Sequence, residues 1–243
     1  MKAMLLAAGL GTRLKPLTDR TPKPLLPLAG RPMIHYPLAF LRRSGVTEVV
    51  INTHLHPEKF SAALGDGSAL GLKITFTHEP VLLDTGGGIK NAEHFFRGET
   101  FVALNADTLI EVDLKPVLAA HRERKPLATL VLIKTANAAE FSAVEVDAAG
   151  RIRRLRGQPA EAPAGALSPY TFTGLQVIEP EVLDALPSGK PACLIRDAYL
   201  PLLGQGRELR AFFMDGYWKS LDTPARMREA EEDIRAGKFS LIP

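Results

Sequence analysis

The sequence contains a single cysteine, Cys193, among its 243 residues. One cysteine excludes an internal disulfide framework and is typical of a protein that stays in a reducing compartment. No apolar run approaches the roughly 18 residues that a membrane-spanning helix needs, so we expect no membrane span. The chain enters an apolar strand pattern without a preceding signal-peptide pattern, and we therefore expect a cytoplasmic protein.

Net charge is also small, at a formal +3 at pH 7. A balance this close to zero does not support a nucleic-acid partner, so we expect none, although it is compatible with a small anionic substrate. The sequence lacks internal repeats and low-complexity tracts. Its length is enough for one large α/β domain or two small ones.

Short apolar runs alternate with helical patterns over the first half of the chain. They predict strands over residues 2–8, 48–52, 72–77, 101–104 and 128–133, and helices over residues 32–44, 57–64, 88–96 and 114–125. After about residue 135 the pattern predicts a hairpin over residues 141–155, a loop over 158–169, strands over 170–178 and 209–214, and helices over 180–186, 195–203 and 224–236. We therefore expect an α/β protein with a Rossmann-like mixed, mostly parallel central sheet flanked by helices, and a smaller β-rich lobe.

The first 27 residues are the most informative stretch of the sequence. The apolar run leads directly into G-x-G-T-R-L at residues 9–14, and P-K-P follows at residues 22–24. Backbone N–H groups of such a turn can surround phosphate oxygens, while Arg13 and Lys23 supply positive charge. A Rossmann fingerprint is excluded because Leu14 occupies the third glycine position, and the spacing excludes a Walker A loop. A plain tight turn after an edge strand is the remaining alternative.

Two further segments carry candidate binding residues. Three glycines at residues 86–88 precede a predicted helix, and they would allow the backbone to approach a flat ligand closely; a glycine-rich helix entry without a ligand is the alternative. Asp107 follows a buried strand, and the carboxyl end of a parallel strand is a suitable position for a metal ligand. Asp113 is the local alternative, but its position predicts the N-cap of the next helix.

The segment L-A-A-G-L-G-T-R at residues 6–13, together with P-K-P at residues 22–24, resembles the signature of the sugar-1-phosphate nucleotidyltransferases. This resemblance implies a Rossmann-like α/β fold and Mg²⁺-dependent transfer of a nucleotidyl group from an NTP to a sugar 1-phosphate. The motifs are most similar to the N-acetylmuramate-1-phosphate uridylyltransferase and mannose-1-phosphate guanylyltransferase types. No hexapeptide repeat is present, so we do not expect the β-helix extension that some members carry.

The resemblance also implies roles for individual residues. Arg13 would steady the leaving pyrophosphate, Lys23 would contact the α-phosphate and the sugar phosphate, and Asp107 would be the first Mg²⁺ ligand; these three form the expected catalytic set. The expected nucleotide-binding residues are Leu6, Ala8, Gly9, Gly11, Thr12, Arg13, Lys23, Asp84, Thr85, Gly86 and Gly87. The expected sugar-binding residues are Asn105, Glu145, Thr173 and Gly174. The nucleotide half would extend to about residue 135, with the sugar-binding half after it.

Two motifs depart from the family pattern. Members commonly carry W-x-D-x-G-T, whose aspartate is the second metal ligand, but this chain has Ser220 at that position and an acid at Asp222. Residues i and i+2 of an extended segment face the same way, so we expect Asp222 to bind the metal from a shifted position; the alternative is that it caps a helix beginning near Pro224. The usual E-K-P sugar motif is replaced by G-Q-P at residues 157–159. For Glu145, the alternative to sugar binding is an outward-facing strand position.

The expected reaction is direct in-line transfer from an NTP to a sugar 1-phosphate, giving NDP-sugar and pyrophosphate. UTP is the favoured nucleotide, with GTP or CTP next. The alternatives are a mannose- or heptose-1-phosphate guanylyltransferase, a cytidylyltransferase with a phosphocholine-type acceptor, and a catalytically idle protein that senses nucleotide sugars. The sequence does not indicate the oligomeric state.

Overall fold

A computed structural model describes residues 1–135, 143–159 and 165–241. Its chain divides into two compact units of similar length. The first comprises Met1–Leu82, Ala103–Val112 and Gly216–Pro243, and the second comprises Leu83–Val102 and Asp113–Asp215. Each unit therefore combines segments that are distant in sequence. The predicted division into a nucleotide half and a sugar half stays a prediction.

The strands in the described residues are β1 (Lys2–Leu6), β2 (Pro27–Leu28), β3 (Arg31–Pro32), β4 (Glu48–Thr53), β5 (Lys73–His78), β6 (Phe101–Asn105), β7 (Thr108–Ile110), β8 (Ala128–Ile133), β9 (Val144–Val146), β10 (Ile152–Leu155), β11 (Ser168–Ile178), β12 (Leu209–Phe213) and β13 (Trp218–Ser220). The α-helices are α1 (His35–Arg43), α2 (Pro57–Leu64), α3 (Asp84–Asn91), α4 (Glu93–Phe96), α5 (Leu114–Arg124), α6 (Leu200–Gly204) and α7 (Pro224–Arg235). Within these described residues no helix is both long and apolar enough to cross a membrane.

The first unit is built on parallel strands. β1 pairs in parallel with β4, and β4 pairs in parallel with β5, while the end of β6 lies on the other side of β1. Met4 and Leu5 of β1 and Val50 and Ile51 of β4 are fully buried, because strands covered on both faces bury successive side chains. The short strands β7 and β13 form a separate antiparallel pair.

The second unit carries the antiparallel strands. Its order is β10-β9-β11-β8-β12, in which only β12 and β8 run parallel. β9 and β10 form the hairpin predicted around residues 147–150. Leu130, Leu132 and Val177 are buried in this sheet. The predicted mixed α/β fold, with a largely parallel central sheet flanked by helices, is confirmed.

Several predicted boundaries need correction. The helix predicted over residues 88–96 exists, but its bounds are wrong: α3 begins at Asp84 and includes all three glycines, and α4 at Glu93–Phe96 is a separate short helix. The helices predicted over 180–186 and 195–203 are a 3₁₀-helix at Pro180–Ala185 and a π-helix at Leu194–Tyr199 followed by α6. The pair β7–β13 was not predicted. Residues 141 and 142 of the predicted hairpin, and residues 160–164 of the predicted loop, lie outside the described residues.

Candidate functional site

The turn after β1 has the geometry that its glycines permit. Gly11 has φ +61, and its carbonyl accepts hydrogen bonds from Leu14 N at 2.9 Å and from Thr18 Oγ1 at 2.9 Å. A Cβ atom on Gly11 would lie 2.8 Å from Thr18 Cγ2 and 3.1 Å from Lys23 Cβ. Glycine is thus needed here for both backbone conformation and space. Arg13 lies exposed on this turn, as do Gly9 and Thr12.

Replacing Gly11 with alanine is expected to lower the free energy of unfolding by about 1–3 kcal/mol, because the left-handed backbone and the contact with Thr18 both oppose a Cβ atom. Gly9→Ala is the matched control, since no heavy atom lies within 4 Å of the Cβ position of Gly9. Urea unfolding of both variants measures the difference. Equal stability of the two variants would contradict this account of the turn.

Two buried polar side chains, linked by hydrogen bonds, hold the start of the turn. Ala7 N donates to Asn52 Oδ1 at 2.8 Å, and Asn52 Nδ2 donates to Glu79 Oε1 at 2.7 Å. Both Asn52 and Glu79 are buried, with exposed fractions of 3% and 0%. Leu6 O in turn accepts from Ala106 N at 3.0 Å, which fixes the strand end beside β6. The sequence analysis did not predict these hydrogen bonds, although Asn52, a polar residue at the end of a predicted buried strand, indicated that a partner was needed.

Two carboxylates at this edge of the first unit are paired with cations. Lys23 Nζ donates to Asp107 Oδ2 at 2.6 Å. Asp222 accepts from Arg13 Nη1 on Oδ2 and from Arg226 Nη1 on Oδ1, the latter at 2.7 Å. Burial alone raises the pKa of Asp222, but the hydrogen bond from Arg226 and the charges of Arg226, Arg13 and Lys23 hold this pKa below its ordinary value. Asp222 is therefore an anion near neutral pH.

Backbone pairing brings the two acids together. In the β7–β13 pair Ser220 lies opposite Thr108, and one residue further Leu221 N donates to Asp107 O at 2.8 Å. The helix-capping alternative for Asp222 is wrong, because the N-cap of α7 is Thr223, whose Oγ1 accepts from Arg226 N at 3.3 Å. Asp222 is thus available for a role other than capping.

Helix α7 fixes the position of β13. Lys219 Nζ donates to Asp233 Oδ2 at 2.6 Å, and Tyr217 Oη donates to the same oxygen at 2.9 Å. The hydrogen bond from Lys219, with those from Lys238 and Tyr217, lowers the pKa of Asp233 to about 2 although burial opposes the shift. The ionised Asp233 therefore links β13, which precedes Asp222, to α7, which follows it.

The donor set suits a hard divalent cation. Asp107 and Asp222 supply carboxylate oxygens, and the ammonium group of Lys23 already lies in hydrogen-bond contact with Asp107. Mg²⁺ is usually bound by one or two carboxylates, with phosphates and waters completing its coordination. In the described part of the chain no three His, Cys, Asp or Glu side chains form a metal-binding group. Asp113, the alternative ligand, is the N-cap of α5 and accepts from Lys115 N at 3.0 Å.

In the second unit, the glycines of α3 serve helix packing. A Cβ atom on Gly86 would lie 2.8 Å from Leu186 Cδ2 and 2.9 Å from Ala192 O, and one on Gly87 would lie 2.7 Å from Lys190 O. Gly87 N donates to Ala192 O at 2.9 Å. Close contact with residues 186–194 therefore explains Gly86 and Gly87 without a ligand. The predicted role of Asp84, Thr85, Gly86 and Gly87 in base binding stays a prediction.

Gly86→Ala is expected to destabilise the protein by about 1–3 kcal/mol, because the added methyl group would overlap backbone atoms that cannot move away easily. Gly204→Ala is the control in another helix of the same unit, where no heavy atom lies within 4 Å of the Cβ position; it should be neutral or stabilising by up to about 1 kcal/mol. Thermal or urea unfolding measures both. A Gly86→Ala variant as stable as the parent would refute the packing role.

The predicted sugar-binding residues have varied surroundings. Glu145 accepts a hydrogen bond from Arg154 Nη1 at 3.1 Å, and Arg154 was not predicted to belong to this group. Thr173 is buried and its Oγ1 donates to Val131 O at 2.8 Å, so its hydroxyl is engaged by the main chain. Gly174 has φ +87 at the irregularity of β11. Asn105 lies half-buried at the end of β6, in the first unit. Their roles stay predictions.

The first unit thus defines an α/β protein whose parallel strands present a glycine turn, two basic side chains and two carboxylates suited to polyphosphate chemistry. The chain belongs to the nucleotidyl transferase family, whose family model matches residues 2–237. This family membership confirms the resemblance that the motifs indicated.

Characterised relatives share this family and differ in nucleotide. The chain is 33% identical over 236 residues to mannose-1-phosphate guanylyltransferase of Mycobacterium tuberculosis, covering 97% of this chain and 65% of the relative. It is 33% identical to UTP–glucose-1-phosphate uridylyltransferase of Synechocystis, covering 90% of this chain and 59% of the relative. It is 35% identical to N-acetylmuramate alpha-1-phosphate uridylyltransferase of Neisseria meningitidis, covering 95% of this chain and 97% of the relative. The chain therefore spans less than two thirds of the first two relatives.

Solved structures share the fold. A Bacillus anthracis protein assigned as a glucose-1-phosphate thymidylyltransferase, crystallised with a sucrose, matches with a TM-score of 0.83 at 24% identity, covering 97% of this chain and 95% of that one. HddC from Yersinia pseudotuberculosis, complexed with GMP-PN, matches with a TM-score of 0.80 at 21% identity, covering 96% of this chain and 99% of that one. At these identities the matches support the fold alone.

Proposed function

We propose that this protein is a Mg²⁺-dependent sugar-1-phosphate nucleotidyltransferase, which forms an NDP-sugar and pyrophosphate from an NTP and a sugar 1-phosphate. The observation that carries the proposal is the pairing of Arg13 and Lys23, which lie on or directly after the glycine turn, with the neighbouring carboxylates of Asp222 and Asp107. Two polyanionic substrates have to be brought together, and this arrangement supplies cations and metal-binding oxygens at one place.

The chemistry requires positioning and charge neutralisation more than proton transfer. A sugar-phosphate oxygen is anionic near neutral pH, so it can attack the α-phosphorus without a general base while the bond to pyrophosphate breaks. The N–H groups of residues 9–12 and the guanidinium group of Arg13 would bind the departing phosphates. Lys23 would contact the α-phosphate and the sugar phosphate. When bound by Asp107 and Asp222, Mg²⁺ would neutralise further phosphate charge.

A single displacement predicts inversion of configuration at the α-phosphorus. The test uses an NTP with a chiral α-phosphorothioate and determines the configuration of the NDP-sugar product. Retention would require two displacements, with a covalent intermediate, and would contradict the direct transfer proposed.

UTP is the nucleotide we propose. The uridylyltransferase of Neisseria meningitidis matches over nearly its whole length. The guanylyltransferase of Mycobacterium tuberculosis, at 33% identity, supports GTP with mannose 1-phosphate as the second candidate. Contacts of Asp84, Thr85, Gly86 and Gly87 with the base, and of Glu145 with the sugar, belong to this proposal. So does a cytoplasmic location, where NTPs are available.

The decisive experiment is a grid of UTP, GTP, CTP, ATP and dTTP against common sugar 1-phosphates and phosphocholine, with pyrophosphate release as the readout. Release should require Mg²⁺, be highest with UTP and a hexose or amino-sugar 1-phosphate, and disappear on chelation. A preference for phosphocholine would establish the alternative acceptor. Nucleotide-sugar binding without pyrophosphate release in any combination would contradict the enzyme and support the sensor alternative.

A further inference from the structure

The side chain of Arg154 connects the β9–β10 hairpin to the turn that follows it. Its Nη1 donates to Glu145 Oε2 at 3.1 Å, its Nη2 to Gly157 O at 2.8 Å and its Nε to Pro159 O at 2.8 Å. Arg154 and Glu145 lie opposite each other in the pairing of β9 with β10, and each side chain is 21% exposed. One guanidinium group therefore holds a carboxylate and two main-chain carbonyls together.

The charges of this pair are balanced. The two other groups that accept from Arg154 are neutral carbonyls, so Glu145 is the anion that compensates the arginine. Within the part of the chain that the structure describes, Arg154 is likewise the cation paired with Glu145, and Glu145 Oε1 has no hydrogen-bond partner there. The carboxylate thus has one oxygen that can accept a hydrogen bond, while the pair as a whole carries no net charge.

A balanced pair of this kind distinguishes neutral ligands from cationic ones. A lone carboxylate would attract an ammonium group, but the neighbouring guanidinium group repels the same ammonium and cancels most of that attraction. A sugar hydroxyl carries no charge, so it can donate to the free carboxylate oxygen without meeting this repulsion. Specificity of this type comes from repelling the wrong ligand as much as from binding the right one.

We propose that Arg154 is a specificity-determining residue for the sugar 1-phosphate. It neutralises Glu145 and thereby makes the site select neutral, hydroxylated sugars over acceptors that carry a positive charge. Hexoses and N-acetylated amino sugars belong to the favoured class, whereas a sugar with a free ammonium group belongs to the disfavoured one. This inference rests on the proposed function, in which Glu145 binds the sugar.

A purely structural role for Arg154 makes a different prediction. The turn after β10 has main-chain hydrogen bonds of its own, from Leu155 N to Gln158 O at 2.8 Å and from Gln158 N to Leu155 O at 3.0 Å. Replacing Arg154 should therefore remove a charge and leave the turn in place. If the arginine only fixed the turn, its loss would affect all sugar 1-phosphates alike and leave the preference among them unaltered.

The test compares glucosamine 1-phosphate, whose amine is largely protonated at neutral pH, with N-acetylglucosamine 1-phosphate, which has the same ring without that charge. Each is measured by pyrophosphate release as a substrate or, where it is not turned over, as a competitive inhibitor of the best sugar 1-phosphate in the grid. The parent protein should prefer the acetylated compound. Arg154→Gln should shift the ratio of the two specificities toward glucosamine 1-phosphate by about fivefold, the upper range for one partly exposed ion pair.

Three further variants separate charge from structure. Arg154→Lys keeps the positive charge, so its ratio should stay within about twofold of the parental value. Glu145→Gln leaves the arginine without its anion and should shift the ratio in the opposite direction, which tests the inference even if Arg154→Gln does not fold. Arg153→Gln is the matched control, because it removes the same charge one position earlier in β10, outside the residue pair with Glu145, and should leave the ratio unchanged.

Three results would overturn the inference: a parental ratio in folded Arg154→Gln or in Glu145→Gln, an equal shift in Arg153→Gln, which would indicate a general charge effect, or a parent protein that prefers glucosamine 1-phosphate. Failure of the proposed function gives a different result. In that case the parent protein would release no pyrophosphate with any acceptor in the grid, and the inference would fall with the function on which it rests.

Discussion

Asp107→Asn is expected to lower the rate of pyrophosphate release by about 10²–10³-fold, comparable with the loss of one preorganised electrostatic group from an active site. The substitution keeps the shape of the side chain but removes its negative charge. The loss therefore affects both the ion pair with Lys23, at 2.6 Å, and the oxygen ligand proposed for Mg²⁺. Steady-state kinetics over a range of Mg²⁺ concentrations should show a higher metal requirement as well as a lower maximal rate.

Asp113→Asn makes the same chemical change six positions along the chain and is the matched control. Asp113 caps α5 through Lys115 N, and asparagine caps helices about as well as aspartate. Turnover and stability should both be close to those of the parent. If Asp113→Asn lost as much activity as Asp107→Asn, the metal ligand would have to be reassigned.

Asp222→Ala is expected to abolish Mg²⁺-dependent turnover, with a loss of about 10³-fold or more, because it removes the second metal ligand proposed here and Ser220 carries no charge to replace it. Without the carboxylate, the guanidinium groups of Arg13 and Arg226 also lose their shared partner. Binding of pyrophosphate by Arg13 in the absence of metal should not weaken, since the carboxylate that competes for this arginine has been removed. Near-normal turnover would refute the ligand role of Asp222.

A rescue variant tests whether the acid has shifted along the strand. In the double variant Ser220→Asp with Asp222→Ala, the carboxylate moves to the position that the motif resemblance implies for it, in the residue that pairs with Thr108. Residues two apart in an extended segment face the same way, so this variant should recover a substantial part of the lost activity. A double variant as inactive as Asp222→Ala would show that positions 220 and 222 are not equivalent.

Sequence was sufficient for elements defined by local pattern. α2 and β8 have the predicted bounds. α2 begins at a proline and is followed by a glycine, and β8 is a continuous apolar run, so both signals are local and depend on no distant part of the chain. Helix α3 was misplaced because three glycines disfavour a helix locally, whereas contact with residues 186–194 stabilises it. The strands β7 and β13 have three residues each, too few to show a period, and they exist through pairing with each other.

In the candidate site, too, sequence motifs indicate individual residues, whereas the contacts between them depend on the tertiary fold. Arg13, Lys23 and Asp107 were identified from motifs at fixed spacing, and the structure pairs each of them with a site residue. Asp107 and Lys23 contact each other, but nothing near either residue in sequence indicates that contact. Arg226 resembles any helix-surface arginine until the fold brings Arg13 to the same carboxylate. Partners of this kind depend on tertiary structure and leave no local pattern.

The antiparallel pair β7–β13 also determines when the two acids can meet during synthesis of the chain. Arg13 and Asp222 are 209 residues apart in the chain, and a ribosome needs about 10–40 s to add that many residues. Throughout that interval the nascent chain carries the glycine turn but lacks the strand that brings Asp222 to Asp107. Under the proposed function, a chain that stops before residue 218 lacks β13 and could not present both acids to a metal ion.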